Sequence, residues 1–194
     1  NVSAGFRGEV VGTGCYWIGA RHFQFTPGGY ELADLSPYGH KMLARLGIHK
    51  SIGQVLDASE IGAIVGFSVQ VLESIVQDQF ERPIGHQKQE ELVKMLTHRE
   101  FKWPKGCRAP VIVWSGGVGE LIYALARGKS LPGKTFYGDL GVELASGVLN
   151  SPILSAHLGA YLPVQRGRAT VYGLMLHATQ LSGQTLFLAR PDVL

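Results

Sequence analysis

The sequence predicts an α/β protein in which helices pack against a mixed sheet. Strand-like patterns rich in Val, Gly and aromatic residues fill positions 5–33, and helical patterns then alternate with single strands. An apolar run at 111–114 passes directly into glycines and then into a helical pattern, which is typical of a strand–loop–helix unit. Hydrophobic residues make up 45% of the 194 residues and charged residues 17%, so we expect a packed core.

The N-terminal part of the chain is predicted to consist of strands. Positions 8–15 and 16–18 have the composition of extended segments. Two further strand patterns, at 22–25 and 30–32, flank the sequence T-P-G-G at 26–29. Pro and Gly at these positions favour a turn, so we predict a β-hairpin here.

Two helices are predicted next. Ser36 and Pro37 have the residue types of an N-cap and a first helical position, and Gly47 has the type that ends a helix. A longer helix begins at Asp57 or Ser59 and continues to about position 80, because its apolar residues recur at helical spacing.

Gly62 and Gly66 lie inside the long helical pattern. Glycine lowers helix stability, so we predict that another element packs closely against these two positions. A shorter, charged amphipathic helix is predicted at 87–96, and a basic connector at 99–108 leads to the apolar run.

The stretch from Pro110 to Glu120, P-V-I-V-W-S-G-G-V-G-E, carries the candidate binding site. Residues 111–114 are predicted to form a buried strand, because a short apolar run bounded by Pro and Gly fits the centre of a sheet. The glycines of 115–119 allow positive φ angles and the close approach of a ligand, and the N–H groups at the start of a helix predicted at 120–126 attract anions.

Spacing alone leaves a ligand site and a tight turn as equal alternatives, because the full dinucleotide fingerprint is absent. Likewise, the Glu120 carboxylate either accepts hydrogen bonds from ribose or is a first-turn residue favoured by the helix dipole.

Residues 128–135, G-K-S-L-P-G-K-T, match the P-loop pattern GxxxxGK[ST] letter for letter. A P-loop must follow a strand and open a helix, so that backbone N–H groups surround a phosphate and Thr135 reaches magnesium. Here a helical pattern precedes the glycines, and Phe136 and Tyr137 predict a short strand after them. Pro132 also lacks an N–H group. We therefore interpret this segment as a solvated basic loop.

The C-terminal part is predicted to alternate between helices and short strands. Asp139 is expected to cap a helix at 140–149, and 152–163 has a mixed pattern. A helix is predicted at 168–181 and a closing strand at 183–188.

Composition weighs against several classes of function. The net charge is only +3 and no dense stripe of Lys and Arg is visible, so we expect no nucleic-acid partner. Cys15 and Cys107 lack CxxC or paired-histidine spacing, the seven histidines form no HExxH motif, and Ser115 is not in a G-x-S-x-G elbow. We therefore expect no metal site, no disulfide framework and no hydrolase triad. No signal peptide and no apolar run of transmembrane length is recognised, so we expect a cytoplasmic protein without a membrane partner.

Several segments together resemble a known family. The sequence S-G-G-V-G-E at 115–120 resembles the adenosine motif of the actin–Hsp70–sugar-kinase ATPase superfamily, and it is more specifically similar to the large subunit of the ethanolamine ammonia-lyase reactivating factor, the EutA family. G-D-L-G at 138–141 resembles the helix start that follows this motif, and 168–185 resembles the family's final helix and strand. Residues 12–19 resemble a strand that leads to a Gly-Gly-Arg turn, which here reads G-A-R at 19–21.

The resemblance implies a fold and a domain organisation. It implies a ribonuclease-H-like lobe of the actin/Hsp70 type over residues 1–194, corresponding to the C-terminal half of a family member. Within this lobe, 1–35 would form β-hairpin strands, 36–109 a helical segment and 110–194 the α/β segment with the adenosine motif. The superfamily's two acidic, glycine-rich phosphate hairpins do not occur in the sequence, so we expect an N-terminal lobe to lie outside it. The stretch 81–108 matches poorly and is expected to be a local insertion.

The resemblance also implies a function. Members of this family use ATP to exchange damaged cobalamin out of inactivated ethanolamine ammonia-lyase, which would be the protein partner. ATP or ADP with Mg²⁺ would be the cofactor, and an oligomer is compatible with this role. The parent protein would be an ATPase and this fragment alone inactive, since no phosphate or metal ligands carry over. The residues expected at the nucleotide are Gly116, Gly117, Val118, Gly119 and Glu120.

Two other functions stay open from the sequence. One is a lobe of a small-molecule kinase of the same superfamily, which would need an acceptor pocket with a catalytic carboxylate. The other is a protein-interaction module whose glycines bind no nucleotide, which the absence of a cleft near 116–119 would favour.

Overall fold

The structure is a computed structural model that describes residues 2–6, 9–77, 94–102 and 111–160. Five strands are present in this part of the chain: β1 (Val2–Phe6), β2 (Glu9–Tyr16), β3 (Phe23–Phe25), β4 (Leu32–Leu35) and β5 (Thr97–Arg99). The α-helices are α1 (Pro37–Leu46), α2 (Ala58–Gln77), α3 (Gly116–Ala126), α4 (Gly141–Asn150) and α5 (Pro152–Ser155), and a short 3-10 helix spans Ala20–His22. Helices and strands are both present, as the sequence predicts.

The described strands form two small sheets. One has the order β1-β2-β5 and the other pairs β3 with β4, and every described strand pair is antiparallel. The register of β1 on β2 shifts between Ala4 and Gly5, and that of β2 on β5 shifts between Cys15 and Tyr16. The prediction of an α/β protein is therefore confirmed, whereas a single mixed sheet is not seen among the described residues.

The predicted hairpin and first helix are confirmed. Strands β3 and β4 pair across a turn in which Gly28 has a φ of 85°. The Ser36 side chain accepts a hydrogen bond from the Gly39 N–H at the start of α1, and Pro37 occupies the first turn. Gly47 ends the helix in the left-handed conformation, with a φ of 69°. These residues act within one turn of the chain, so local sequence suffices to place them.

Asp57, rather than Ser59, caps α2. Its Oδ1 accepts a hydrogen bond from the Glu60 N–H at 2.9 Å, and Glu60 Oε2 accepts one from the Asp57 N–H at 2.8 Å. This reciprocal pair is a capping box. The helix is described as far as Gln77, and the predicted limit near position 80 lies outside the described residues.

The predicted close packing at Gly62 and Gly66 is not found among the described residues. A Cβ atom built at either position would meet none of their atoms within 4 Å. The close approach of helices occurs instead at Gly147 of α4, where a Cβ would lie 2.7 Å from a Val65 methyl and 3.1 Å from a Val69 methyl. The small residue that allows α2 to pack against another helix therefore lies on the other helix.

Helix α2 is long and apolar enough to cross a membrane, by length and composition alone, which sequence analysis did not foresee. One face of this helix is buried in the core, through Ile61, Ile64, Phe67, Val71 and Ile75. Core helices of water-soluble proteins have the same length and composition, so this feature is weak evidence for a membrane span.

Two predicted strands in the middle of the chain are wrong. Residues 111–114 form no strand, and the side chains of Val111 and Val113 are 44% and 53% exposed. Phe136 and Tyr137 lie in turns and are exposed. Helix α3 also begins at Gly116, four residues before the predicted start.

The described core consists of two hydrophobic clusters. The larger cluster contains the strand and hairpin residues together with α1 and α2, including Phe23, Leu32 and Ile64. The smaller cluster lies between α3, α4 and α5 and contains four fully buried side chains, those of Ile122, Ala145, Val148 and Leu154. Both clusters contact Val118 in the first turn of α3, so the candidate binding motif lies where the two clusters meet.

Several predictions fall outside the described residues. These are most of the helix at 87–96, most of the connector at 99–108, the helix at 168–181 and the strand at 183–188. Residues 94–96 are described and are helical, and β5 follows them directly.

Candidate functional site

The segment that leads into α3 is held by side chains rather than by a neighbouring described strand. The Ile112 N–H donates to His157 Nδ1 at 3.2 Å, and the Trp114 N–H donates to the Tyr123 hydroxyl at 3.1 Å. The Trp114 indole Nε1–H donates to the Leu154 carbonyl oxygen at 3.3 Å. The first two bonds satisfy backbone N–H groups that a neighbouring strand would otherwise pair.

The three glycines of the motif have different structural surroundings. Gly116 has a φ of 81°, a conformation that residues with a Cβ rarely adopt. Gly119 is buried, and a Cβ there would lie 3.0 Å from the Trp114 carbonyl carbon, so it allows α3 to pack closely on the preceding segment. Gly117 is exposed, has no positive φ, and a Cβ built on it would meet nothing within 4 Å. Nothing in the described fold requires a glycine at Gly117.

The other two predicted residues lie in the same helical turns. Val118 is partly buried and packs against both hydrophobic clusters, so its side chain belongs to the core. The Glu120 side chain is also partly buried. The structure thus brings all five predicted residues to the start of α3.

The N-terminus of α3 lacks a side-chain cap. Ser115 occupies the N-cap position, is exposed, and makes no side-chain hydrogen bond to the helix. In α1, α2 and α5 the cap side chain does accept such a bond: Ser36 accepts from the Gly39 N–H, Asp57 from the Glu60 N–H and Ser151 from the Leu154 N–H. The first N–H groups of α3 carry partial positive charge and are not satisfied by Ser115, so an anionic or hydroxyl-rich ligand suits this end of the helix.

The G-D-L-G segment at 138–141 packs α4 against α3. Asp139 Oδ1 accepts a hydrogen bond from the Gly141 N–H at 2.8 Å, so Asp139 contacts the first residue of α4. The N-cap position is Leu140, however, and not Asp139 as predicted. A Cβ at Gly141 would lie 2.9 Å from that same oxygen and 3.4 Å from a Leu121 methyl of α3. The ion pair between Asp139 and Arg21 spans 3.8 Å, but the Arg21 side chain is 92% exposed, so it adds little stability.

The P-loop look-alike at 128–135 does not lie between a strand and a helix. It follows the C-terminus of α3 and continues into turns over 134–137. The Thr135 side chain is buried and its hydroxyl donates to the Gly29 carbonyl oxygen at 2.9 Å, so it is engaged with the hairpin. The described geometry agrees with the interpretation as a basic loop, not with a phosphate-binding loop.

A buried carboxylate near this loop was not identified from the sequence. The Tyr30 hydroxyl, in the turn of the hairpin, donates a hydrogen bond to Glu143 Oε1 of α4 at 2.9 Å. The second oxygen, Glu143 Oε2, is buried without a hydrogen-bond partner in the described part of the chain. Burial, together with this bond to Glu143, raises the pKa of Tyr30 to about 12. The 113 residues between the two side chains explain why no local pattern signals the pair.

Replacing Tyr30 by Phe is expected to destabilise the protein by about 1–3 kcal/mol at neutral pH, because both Glu143 oxygens then lack a partner. The same change should reduce the alkaline sensitivity of the fold. A folded-state pKa raised from 10 to about 12 gives stability that is present below pH 10 and lost as the pH rises toward 12. Urea unfolding at pH 8 and at pH 11 measures both effects.

The matched control is Tyr137→Phe, since the Tyr137 side chain is 57% exposed. It should change neither the stability at pH 8 nor its loss at pH 11. Equal effects of the two substitutions would contradict the role given to the Tyr30–Glu143 pair.

The described residues do not fit a magnesium site. Within residues 2–6, 9–77, 94–102 and 111–160, no group of three or more His, Cys, Asp or Glu side chains could hold a metal ion. An open cavity of about 320 Å³ lies between α1 and the loop after it, lined by residues such as His40, His49 and Ser51. None of its lining residues belongs to the glycine motif.

Comparison with known proteins gives one match. The sequence model of a family described as ethanolamine utilisation protein EutA matches residues 1–194. No curated protein and no solved structure matches the chain significantly.

Proposed function

This chain belongs to the EutA family of ethanolamine utilisation proteins, and on that premise we propose that it is the nucleotide-binding part of an ATP-dependent reactivating chaperone. The chaperone would exchange damaged cobalamin out of ethanolamine ammonia-lyase. The match of the family model over residues 1–194 carries this proposal. A ribonuclease-H-like lobe of the actin type is part of the same proposal.

The geometry of α3 supports nucleotide binding at its N-terminus. Gly117 presents bare backbone to solvent with no packing reason for a glycine, and Ser115 leaves the first N–H groups without a side-chain cap. A ligand can therefore approach the backbone closely and accept hydrogen bonds from it. We propose that the adenosine part of ATP or ADP lies against Gly116, Gly117 and the N–H of Val118, with Glu120 accepting hydrogen bonds from the ribose hydroxyls.

The same position would couple the nucleotide to the rest of the lobe. Val118 contacts both hydrophobic clusters, so a ligand at its backbone binds where the clusters meet. A nucleotide changes the population of an arrangement only if it binds one arrangement more tightly than another. The described residues offer no set of magnesium ligands, so the proposal assigns them nucleotide binding and not hydrolysis.

Replacing Gly117 by Val is expected to weaken ATP and ADP binding by about 10-fold or more, because the side chain occupies the space that the ligand needs. Isothermal titration calorimetry with the chain, at a fixed magnesium concentration, measures this. The fold should be unaffected, since a Cβ at Gly117 meets nothing within 4 Å and its φ is not positive.

The matched control is Gly62→Val in α2, which is also a helical glycine with open space around its Cβ. It should bind both nucleotides as the unaltered chain does. If the unaltered chain binds neither ATP nor ADP, the nucleotide proposal fails and the interaction-module alternative takes its place. If both variants bind equally well, the nucleotide site is not at Gly117.

The chaperone role has its own test. Ethanolamine ammonia-lyase that holds damaged cobalamin is mixed with the full-length parent protein, ATP, Mg²⁺ and intact cobalamin, and the return of lyase activity is followed. The full-length protein is used because this chain alone is expected to be inactive. Recovery that depends on ATP and is lost in the Gly117→Val variant supports the proposal. Nucleotide binding without any recovery would instead favour a small-molecule kinase.

A further inference from the structure

The loop that follows α3 exposes two aromatic rings among positive charges. The side chains of Phe136 and Tyr137 are 66% and 57% exposed, and their rings contact each other edge to face with centroids 5.1 Å apart. Arg127, Lys129 and Lys134 are exposed in the same loop. No Asp or Glu occurs between positions 121 and 138. We call residues 127–137 the basic–aromatic loop.

Hydrogen bonds anchor this loop to the hairpin. The Thr135 hydroxyl donates to the Gly29 carbonyl at 2.9 Å, and Thr135 itself is buried with a φ of 50°. The Gly138 N–H donates to the Thr135 carbonyl at 2.7 Å, and the Gly138 carbonyl accepts from the Phe25 N–H at 2.9 Å. The rings that follow Thr135 therefore project from a fixed backbone and not from a freely moving one.

An anchored, water-exposed pair of aromatic rings is unfavourable for the isolated protein and favourable in an interface. Exposed apolar groups gain free energy when a partner covers them, and neighbouring exposed rings mark such surfaces. Aromatic residues and Arg dominate the energetic centres of protein interfaces. A backbone that is already held in its bound conformation loses less entropy on binding.

We propose that the basic–aromatic loop is the docking surface for the protein partner of this chain, and that it binds an acidic face of that partner. Phe136 and Tyr137 would enter an apolar recess on the partner, and Arg127, Lys129 and Lys134 would face its carboxylates. This inference rests on the proposed function, which makes ethanolamine ammonia-lyase that partner. The inference adds to that function the surface that contacts the lyase and the charge and apolar character of this surface.

The geometry favours a protein over a nucleic acid as the occupant. Single-stranded nucleic acids bind where successive ring faces are open for base stacking along an extended positive groove. In this loop the planes of the Phe136 and Tyr137 rings meet at 86°, so the edge of one ring faces the other. Two rings in this arrangement do not offer parallel faces on which successive bases could stack. Arg127, Lys129 and Lys134 are exposed in the same loop, where Lys134 Nζ lies 5.7 Å from the centroid of the Tyr30 ring, and the loop contains no acidic residue. This excess of positive charge suits a complementary acidic protein face.

The test is direct binding to purified ethanolamine ammonia-lyase by biolayer interferometry, with and without ADP. Replacing both Phe136 and Tyr137 by Ser is expected to weaken binding by about 10-fold or more. The matched control replaces Ile52 and Val55 by Ser, because these side chains are 55% and 58% exposed outside the loop. The control should bind as the unaltered chain does, and circular dichroism should show that both variants are folded.

Charge reversal tests the acidic face separately. Lys129→Glu is expected to weaken binding several-fold at low salt and less at high salt, because salt screens exposed charges. The matched control is Lys102→Glu, at another exposed lysine outside the loop. Equal effects of the two substitutions would overturn the proposed acidic face.

The outcomes separate this inference from the proposed function. If the lyase binds the chain and the Phe136/Tyr137 variant equally, the docking inference is overturned and the chaperone proposal stands. If the lyase binds neither form, the chaperone proposal fails and the docking inference fails with it. If a single-stranded oligonucleotide binds through the loop and the lyase does not, the loop is a nucleic-acid surface and the inference is overturned.

Discussion

Replacing Leu154 by Ala is expected to lower the free energy of unfolding by about 2–5 kcal/mol. Leu154 is fully buried in the smaller cluster, together with Ile122, Ala145 and Val148. Removing its side-chain atoms beyond Cβ loses apolar burial and leaves a cavity between α3, α4 and α5.

Urea unfolding, followed by tryptophan fluorescence, measures the loss. The Trp114 indole donates to the backbone carbonyl of Leu154, so its emission reports on the same cluster. The control is Ile52→Ala, because Ile52 is 55% exposed, and it should change stability by less than about 0.5 kcal/mol. A loss at Leu154 no larger than that of the control would contradict the packing described between α3 and α5.

The parts of the fold that sequence predicts well are those fixed within one helical turn. The start and end of α1 follow from Ser36, Pro37 and Gly47, whose side chains or backbone act on residues next to them. The start of α2 follows from Asp57, because its partner Glu60 is three residues away. Capping needs no knowledge of the tertiary structure, so these boundaries are accurate.

The apolar run at 111–114 shows where local reasoning fails. Its composition fits a buried strand, but its backbone N–H groups bond the side chains of Tyr123 and of His157, which lies 45 residues from Ile112. An apolar run forms a buried strand only where a partner strand is available to pair with it, and no described strand pairs with 111–114. Secondary structure here depends on tertiary contacts that spacing does not encode.

The candidate site also has features that the sequence predicts and features that it does not. Glycine content predicts close approach of a ligand at 116–119, which stays a prediction, and sequence could not say which glycine serves which purpose. Gly119 is required by Trp114, whereas Gly62 and Gly66, which were predicted to be packed, are open. The buried contact of Tyr30 with Glu143 joins the hairpin to α4 across most of the described chain and has no signature in either segment.

Replacing Gly119 by Val is expected to destabilise the protein by about 1–3 kcal/mol, the cost typical of overpacking. A Cβ at this position would lie 3.0 Å from the Trp114 carbonyl carbon and 3.3 Å from Trp114 Cβ. The obstacle is largely backbone. Hydrogen bonds from the Ile112 and Trp114 N–H groups to His157 and Tyr123 hold that backbone in place, so it cannot move away freely. The Trp114 indole is held separately by its bond to the Leu154 carbonyl oxygen. Two further methyl groups on the Cβ increase the conflict.

Gly117→Val is the matched control for stability, because it adds the same side chain two residues earlier in the same helix, where there is open space. It should leave the free energy of unfolding unchanged, or raise it slightly, since Val favours helix more than Gly does. The two variants should differ in the opposite sense in nucleotide affinity. Gly117→Val should lower the affinity while the protein stays fully stable. Gly119→Val should lower the stability, and it should change the affinity only by displacing Trp114. Equal thermal stability of the two variants would show that Gly119 is not needed for packing, and both glycines would then be explained by the ligand.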